Sequence, residues 1–232
     1  MCEKKSRFIS FASHEFRTPL SGILTSVYLI KSSNKPELLE KRLKRIELSV
    51  NNLTDILDEF ISNVQLESHG VKVEAAAFNL PEFLGDVILE MDGILCKKNQ
   101  FIKYQHDGEA SIKQSKKILK NILLNLLSNA SKYSPENKEI QLTSSGANNH
   151  MSITVKDHGI GIPEEDQKNL FTEFFRAGNV ENIQGTGLGL SIVKKYIELI
   201  DGSISFISKP NEGSAFTINL PQLIADENGP AH

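Results

Sequence analysis

Only two cysteines, Cys2 and Cys96, occur among 232 residues, in unrelated contexts and with no CxxC pair. That excludes a disulfide framework and a cysteine metal site, and free thiols suit a reducing compartment. No apolar run approaches the ~18–20 residues needed to span a bilayer, and Met1 to Arg7 is too polar and charged to open a signal peptide. The chain as given therefore reads as soluble and cytoplasmic, without a membrane segment of its own, though compatible with a membrane-anchored parent. An excess of basic charge is missing too: 26 Lys and Arg stand against 29 Asp and Glu, a net charge of −3. Electrostatic capture of nucleic acid is thereby excluded, and phosphate chemistry would have to rest on local donors. Internal repeats and low-complexity blocks are absent.

What is present has an ordinary globular balance, 39% hydrophobic and 24% charged, in a length that accommodates one or two domains. The chain enters a helical pattern almost at once with no N-cap lead-in, which points to a fragment of a longer protein. Ile9, Ser13, Phe16, Leu20, Ile23, Val27 and Ile30 recur at steps of four and three, and Pro19 is expected to bend the helix they define. After a polar break at Ser32 to Pro36, Leu39, Leu43, Ile46, Val50, Leu53, Leu57, Phe60 and Val64 continue a heptad progression. Two long helices joined by a short turn form an antiparallel hairpin. Such a hairpin cannot bury both apolar stripes alone, so the pattern predicts a homodimer with a four-helix bundle. Heptad regularity disfavours the alternative, docking on the rest of its own chain.

Beyond Gly70 the texture changes. Val71–Phe78 and Phe101–His106 read as strands, Pro81–Lys98 and Gln114–Lys132 as helices, the latter with Ile118, Ile122, Leu126 and Leu127 on its apolar side. Apolar residues two apart then mark strands around Ile140 and Leu142, Met151 to Val155, Ile204 and Phe206, and Phe216 to Leu220, with a helix over Ser191–Ile200. Non-crossover strands interleaved with helices suggest an α+β sandwich, one mixed sheet covered on one face by helices. Pro163 to Gly189 keeps no steady period and carries Phe171, Phe174, Phe175 and Arg176, the texture of a functional loop or lid. The domains are expected at 1–68 and 72–222, followed by a polar tail over 223–232.

Four clusters offer chemistry. In Ser13-His14-Glu15-Phe16-Arg17-Thr18-Pro19, His14 falls about 100° past the helical seam, toward solvent. A carboxylate on Nδ1 would leave Nε2 a free lone pair, and Thr18 shares that face; a solvated surface histidine is the plainer reading. Asn125 and Asn129 sit on one helical face with Lys132 close behind, amide oxygens that suit Mg²⁺ beside a cation that suits phosphate, or else a solvated polar stripe. Asp157-His158-Gly159-Ile160-Gly161-Ile162-Pro163 ends a strand in a carboxylate and two glycines, able to receive a flat ligand and its exocyclic amine, or simply to turn. Gly185-Thr186-Gly187-Leu188-Gly189-Leu190 leads into a helix N-terminus, a setting for anions or a glycine hinge, with neither Walker nor GxGxxG spacing.

The order SHEFRTP, NLLSNASKY, DHGIGIP, LFTEFFR, GTGLGLSIV resembles the cytoplasmic core of sensor histidine kinases, with their H, N, G1, F and G2 boxes, over nearly the whole chain. The resemblance implies a dimerisation and histidine-phosphotransfer hairpin over 1–68 and a Bergerat-type ATP-binding domain over 72–222. It makes His14 the phosphoacceptor, Glu15 its neighbouring acid, and Thr18 the residue that positions water for dephosphorylating a partner. It implies that Asn129 holds Mg²⁺ with Asn125 beside it, and that Lys132 and Tyr133 contact ATP. Asp157 is implied to recognise the adenine amino group, in a pocket shaped by Gly159 and Gly161. Arg176 would reach the phosphates, and Thr217 would back the adenine. Gly185, Thr186, Gly187, Leu188, Gly189 and Leu190 would line the nucleotide, the glycines forming the lid. The implied sequel is phosphoryl transfer to an aspartate of a response regulator, together with phosphatase activity toward it. A non-phosphorylating ATP-binding scaffold fits intact His14, Glu15 and Asn129 less well. A gyrase- or chaperone-type ATPase leaves the hairpin and its histidine without a reason.

Overall fold

The computed structural model describes residues 2–32, 35–68, 72–147, 150–180, 183 and 185–221; within these, the side chains of 2–11, 14, 67 and 68 are outside the description. The expected tail at 223–232, the strand start at Val71 and part of the Ser32–Pro36 break lie outside the described residues. Two compact units divide the chain, Met1–Gln65 and Leu66–His232.

The first unit is a helical hairpin, α1 (Cys2–Ser32) and α2 (Pro36–Ser68), and α1 continues through Pro19 as one helix. Contacts between the two run antiparallel. The rings of Phe16 and Phe60 lie 5.7 Å apart, a Cβ on Gly22 would lie 3.3 Å from Ser49 Oγ, and Arg42 donates to the carbonyl of Leu29. Pro19, Ser26, Ile56, Phe60 and Asn63 are buried. The heptad residues mostly are not: Leu20, Val27, Leu39, Leu43, Val50, Leu57 and Val64 remain exposed. The seam legible in the sequence thus shares Phe16 and Phe60 with the surface on which one hairpin closes but leaves these other apolar residues outside it.

The second unit is a sandwich of one sheet and one helical layer. It comprises β1 (Ala76–Asn79), α3 (Leu80–Leu95), β2 (Phe101–Gly108), β3 (Ser111–Gln114), α4 (Lys116–Tyr133), β4 (Glu139–Ala147), β5 (His150–Lys156), the one-turn α5 (Glu164–Gln167), α6 (Gly189–Leu199), β6 (Ser203–Lys209) and β7 (Gly213–Pro221). Asn79 starts α3 by accepting from the Glu82 amide at 3.1 Å, and Pro81 occupies the first turn, where a missing N–H costs nothing. Leu80, Phe83, Leu84, Val87, Met91 and Leu95 then bury one face at steps of three and four. Ile118, Ile122, Leu126 and Leu127 do the same for α4, each such side chain contributing about 1.5–3 kcal/mol relative to exposure.

The main sheet runs β2-β4-β5-β7-β6, with β2–β4 parallel and the other pairs antiparallel. Ile140, Leu142, Met151, Ile153, Val155, Phe216, Ile218 and Leu220 alternate inward and are buried. The opposite face presents a register row of polar residues, Gln105, Thr143, Thr154, Thr217 and Ser205. One mixed sheet covered on one face agrees with the α+β expectation, but the non-crossover reading needs correction. Parallel β2 and β4 are joined through α4. Likewise, β5 and β6 both run antiparallel to β7 and so share a direction, with α6 in their connection. The strand expected over Val71–Phe78 is confined to Ala76–Asn79 and pairs with β3 in a separate two-stranded sheet. Gln114, expected to open α4, ends β3 instead: its side chain donates to the Ile200 carbonyl and accepts from the Ser115 amide.

Candidate nucleotide site

α4 turns its apolar side to the core and leaves Asn125, Asn129 and Lys132 half-buried on another face. Asn125 Nδ2 donates to the Asn121 carbonyl at 3.0 Å, which leaves its oxygen toward the start of α6: a Cβ on Gly189 would lie 3.0 Å from Asn125 Oδ1 and 3.8 Å from Asn129 Nδ2. A Cβ on Gly185 would lie 2.5 Å from Lys132 Nζ, which itself stands 5.2 Å from the Tyr133 ring centroid. Two amides and an ammonium therefore border space from which the glycines withhold side chains. Hard oxygen donors beside a cation form a donor set that fits Mg²⁺ and phosphate oxygens.

Asp157 follows β5 and is 6% exposed. Its Oδ1 accepts from the amides of Gly159 at 2.8 Å and Ser214 at 3.2 Å, and its own amide donates to the Ser214 carbonyl at 2.8 Å. Burial pushes its carboxyl above the ordinary carboxylate range, opposed by those two amides and by nearby His158. Gly159 is required by crowding, since a Cβ there would lie 2.6 Å from the Tyr133 carbonyl oxygen, to which the Ile160 amide donates at 3.3 Å. The end of α4 and the Asp157 loop thus form one wall.

Between that loop and α6, Phe171 packs edge-on to Phe206 with centroids 5.9 Å apart, and Lys195 pairs with Glu173 at 2.5 Å. Thr186, buried, caps the approach to α6 by accepting from the Leu188 amide at 3.1 Å. Leu188 is buried, and Leu190 is half-buried in the first turn of α6. Gly187 holds φ +73°, and a Cβ on it would lie 2.7 Å from the Phe175 carbonyl oxygen. The first amides of α6 follow directly, the end of a helix that favours anions.

Asn125, Asn129, Lys132, Gly185 and Gly189 are brought together, and Asp157, Gly159 and Tyr133 meet at the end of α4, whereas Gly161, farther along the same loop, packs against the backbone of Lys209 and Pro210. Two expected residues are placed elsewhere. Arg176 donates to the carbonyls of Val180 at 2.7 Å and Ile183 at 2.5 Å, so its guanidinium braces its own segment rather than reaching for phosphate. Thr217 lies on the sheet face away from the helices, its hydroxyl 2.9 Å from that of Thr154. The hydroxyl residue at Asp157 is Ser214, which shares the inward parity of Phe216, Ile218 and Leu220. His14, Glu15 and Thr18 lie on α1; Glu15 is half-buried, Thr18 is exposed, and the His14 side chain is outside the description. No described helix is long and apolar enough to cross a membrane.

Residues 4–68 match the family model of the His Kinase A (phospho-acceptor) domain, and residues 114–224 match that of the histidine kinase-, DNA gyrase B-, and HSP90-like ATPase. The chain is 33% identical over 227 residues to the sensor histidine kinase RcsC of Escherichia coli K12, covering 94% of this chain and 23% of RcsC. It is 34% identical over 224 residues to the sensor protein GacS of Pseudomonas syringae, covering 93% and 25%. It spans about a quarter of the length of these curated relatives. Among solved structures, histidine kinase ThkA in complex with response regulator protein TrrA is similar at a TM-score of 0.74, with 26% identity over 95% of this chain and 61% of that one. The catalytic domain of ThkA alone is 30% identical at a TM-score of 0.55, over 64% of this chain and 96% of that one.

Proposed function

The chain belongs to the sensor histidine kinases, and we propose that it binds ATP at the site between α4, the Asp157 loop and α6 and transfers the γ-phosphoryl group to His14. The supporting observation is the pairing of a buried carboxylate, Asp157, with amides and an ammonium, Asn125, Asn129 and Lys132, that border glycine-lined space. Asp157 accepts from the exocyclic amine of adenine, and Gly159 and Gly161 let the base approach the backbone. Lys132, Tyr133 and the amides of the Gly185–Leu190 segment contact the phosphate side.

Phosphoryl transfer needs positioning and charge neutralisation more than covalent protein chemistry. Glu15 holds the N–H of the His14 imidazole, leaving the other ring nitrogen as nucleophile. An N–P bond forms, the bond between the γ-phosphorus and its bridging oxygen breaks, and the electron pair leaves with ADP. Asn129, with Asn125 beside it, would hold Mg²⁺, which supplies charge neutralisation at the phosphate oxygens. In a second step a carboxylate oxygen of a response-regulator receiver domain takes the phosphoryl group, the P–N bond breaks, and neutral His14 is restored. Thr18 positions the water that attacks the regulator's aspartyl phosphate, breaking its P–O bond to the carboxylate and releasing inorganic phosphate. The apolar residues that one hairpin leaves exposed, Leu43, Val50 and Leu57 among them, support pairing with a second copy. We place the expected domains at 1–68 and 72–222 on the same reading.

The test is incubation with γ-³²P-ATP and Mg²⁺, followed by acid and base treatment. Acid-labile, base-stable label is expected on the wild-type chain and lost in His14→Gln and Asn129→Asp. Label that persists in His14→Gln overturns the assignment.

A further inference from the structure

An α-helix leaves its last four carbonyls without intrahelical partners, and in a functional helix their partners decide how firmly the last turn is held. α4 ends at Tyr133, the turn that carries Lys132 and Tyr133 and lies one turn past Asn129. The Ala130 carbonyl is satisfied by the Ser134 amide at 3.2 Å and that of Tyr133 by the Ile160 amide at 3.3 Å. The carbonyls of Ser131 and Lys132 are served from far upstream. Lys98 Nζ donates to Ser131 at 2.8 Å, Lys132 at 2.9 Å and Ser134 at 3.1 Å, using all three of its N–H groups on carbonyls at one helix end. Gln100 Nε2 donates to the carbonyls of Ser131 at 3.2 Å, Ser134 at 3.3 Å and Pro135 at 2.9 Å, while its Oε1 accepts from Ser131 Oγ at 2.6 Å.

Gln100 and Ser131 are buried, so this arrangement is shielded from competing water. Between the two donors, Asn99 adopts a left-handed backbone at φ 50°, which lets residues on either side of it converge on the same helix end. That turn is itself fixed: Asn99 Nδ2 donates to Asn137 Oδ1 at 2.6 Å, and the Asn137 amide donates to the Lys98 carbonyl at 2.9 Å. A cation at the negative end of the helix adds a favourable interaction with its dipole.

We propose that Lys98 and Gln100 are positioning residues for nucleotide binding, a clasp that fixes the last turn of α4 and thereby the spacing between Asn129 and Lys132 on one side and the Asp157 loop on the other. The inference rests on the nucleotide reading of that site. The connection is direct, because the Tyr133 carbonyl at the clasped end receives the Ile160 amide, and Gly159 packs against that same oxygen. A loosened last turn moves Lys132 and Tyr133 relative to the Asp157 loop.

A helix cap that served stability alone would leave the folded protein's affinity untouched, and this separates the two roles. MgATP is titrated calorimetrically into the full chain well below its melting temperature, for wild type, Lys98→Met, Gln100→Leu and Lys98→Arg. Phe83→Leu, in the Phe78–Phe83 pair of the core, serves as a control that destabilises without touching the clasp. Lys98→Met and Gln100→Leu are expected to weaken MgATP binding about tenfold, as a small misplacement of binding groups does. Lys98→Arg, which keeps the charge and several donors, should return affinity to within about threefold of wild type. Phe83→Leu should lower the melting temperature at unchanged affinity. Lys98→Met or Gln100→Leu with lowered melting temperature but wild-type affinity overturns the proposal; if Lys98→Met does not fold, Gln100→Leu and Lys98→Arg decide it. A wild-type chain that binds no MgATP overturns the nucleotide reading itself, and the clasp falls with it.

Discussion

Gly161→Ala tests the wall of the site at its most crowded point. Gly161 holds φ +64°, a region that costs a residue with a Cβ about 1–2 kcal/mol. The added Cβ would also overlap the Lys209 carbonyl oxygen, lying 2.6 Å from its carbon and 3.0 Å from Pro210 Cα, where unstrained carbon contacts need about 3.5–4.0 Å. The loop cannot retreat freely. The Asn211 amide donates to the Ile160 carbonyl at 2.8 Å, the Ile162 amide to Ser208 Oγ at 2.9 Å, and Asn179 Nδ2 to the Gly161 carbonyl at 2.9 Å. Overpacking against a braced backbone adds about 1–3 kcal/mol, so the expected loss is about 2–5 kcal/mol, a large part of the stability of an ordinary domain. Gly85→Ala is the matched comparison. Gly85 lies within α3, and its Cβ would meet nothing within 4 Å, so alanine should gain about 0.5–1 kcal/mol there. Urea unfolding followed by circular dichroism, the chain having no tryptophan, should move the two midpoints in opposite directions. A Gly161→Ala midpoint equal to or above wild type would refute the reasoning.

Two further outcomes follow from the geometry. Because burial raises the Asp157 carboxyl, the native state binds more protons than the unfolded one between the ordinary and the raised value, so its contribution is full at acid pH and lost as pH rises through the raised value; Asp157→Asn should therefore gain in melting temperature over wild type from about pH 4 upward while losing MgATP binding, and a difference that shrinks as pH rises would contradict this. Leu43→Lys with Leu57→Lys, at positions 51% and 48% exposed in the single hairpin, should convert a dimer to a monomer by light scattering, and an unchanged dimer mass would remove the pairing surface from consideration.

Much of the second unit was legible because its signals are local. Met151, Ile153 and Val155 alternate into the core, and Leu126 and Leu127 oppose Asn125 and Asn129 on one helix, so periodicity alone separated strand from helix and core from site. β3 escaped because four residues with one buried apolar side chain, Ile112, make no period. Thr217 is different, since the information was present: residues three apart in a strand face opposite sides, and the inward parity of Phe216, Ile218 and Leu220 already excluded Thr217 and admitted Ser214. For Arg176 and Lys98 no local signal exists. Their partners are carbonyls, which every residue possesses, and only the folded backbone determines which of them converge.

The glycines of the motifs fall into two physical kinds that a motif does not separate. Gly161 and Gly187 hold positive φ, and a Cβ on either of them would strike backbone; they are glycine because the chain must pass close to itself, and that requirement stands whether or not a ligand is bound. Gly185 and Gly189 have no such strain, and what a Cβ there would meet are functional ends of side chains, Lys132 Nζ and Asn125 Oδ1. Gly189 even opens α6, where alanine would be the better helix former. Local stability therefore argues against glycine at Gly189, and what glycine preserves there is room beside the amides. The first kind is required by the scaffold before any ligand binds, whereas the second keeps room in the cavity, so the stability of the fold rests on only some members of what reads in the sequence as one set.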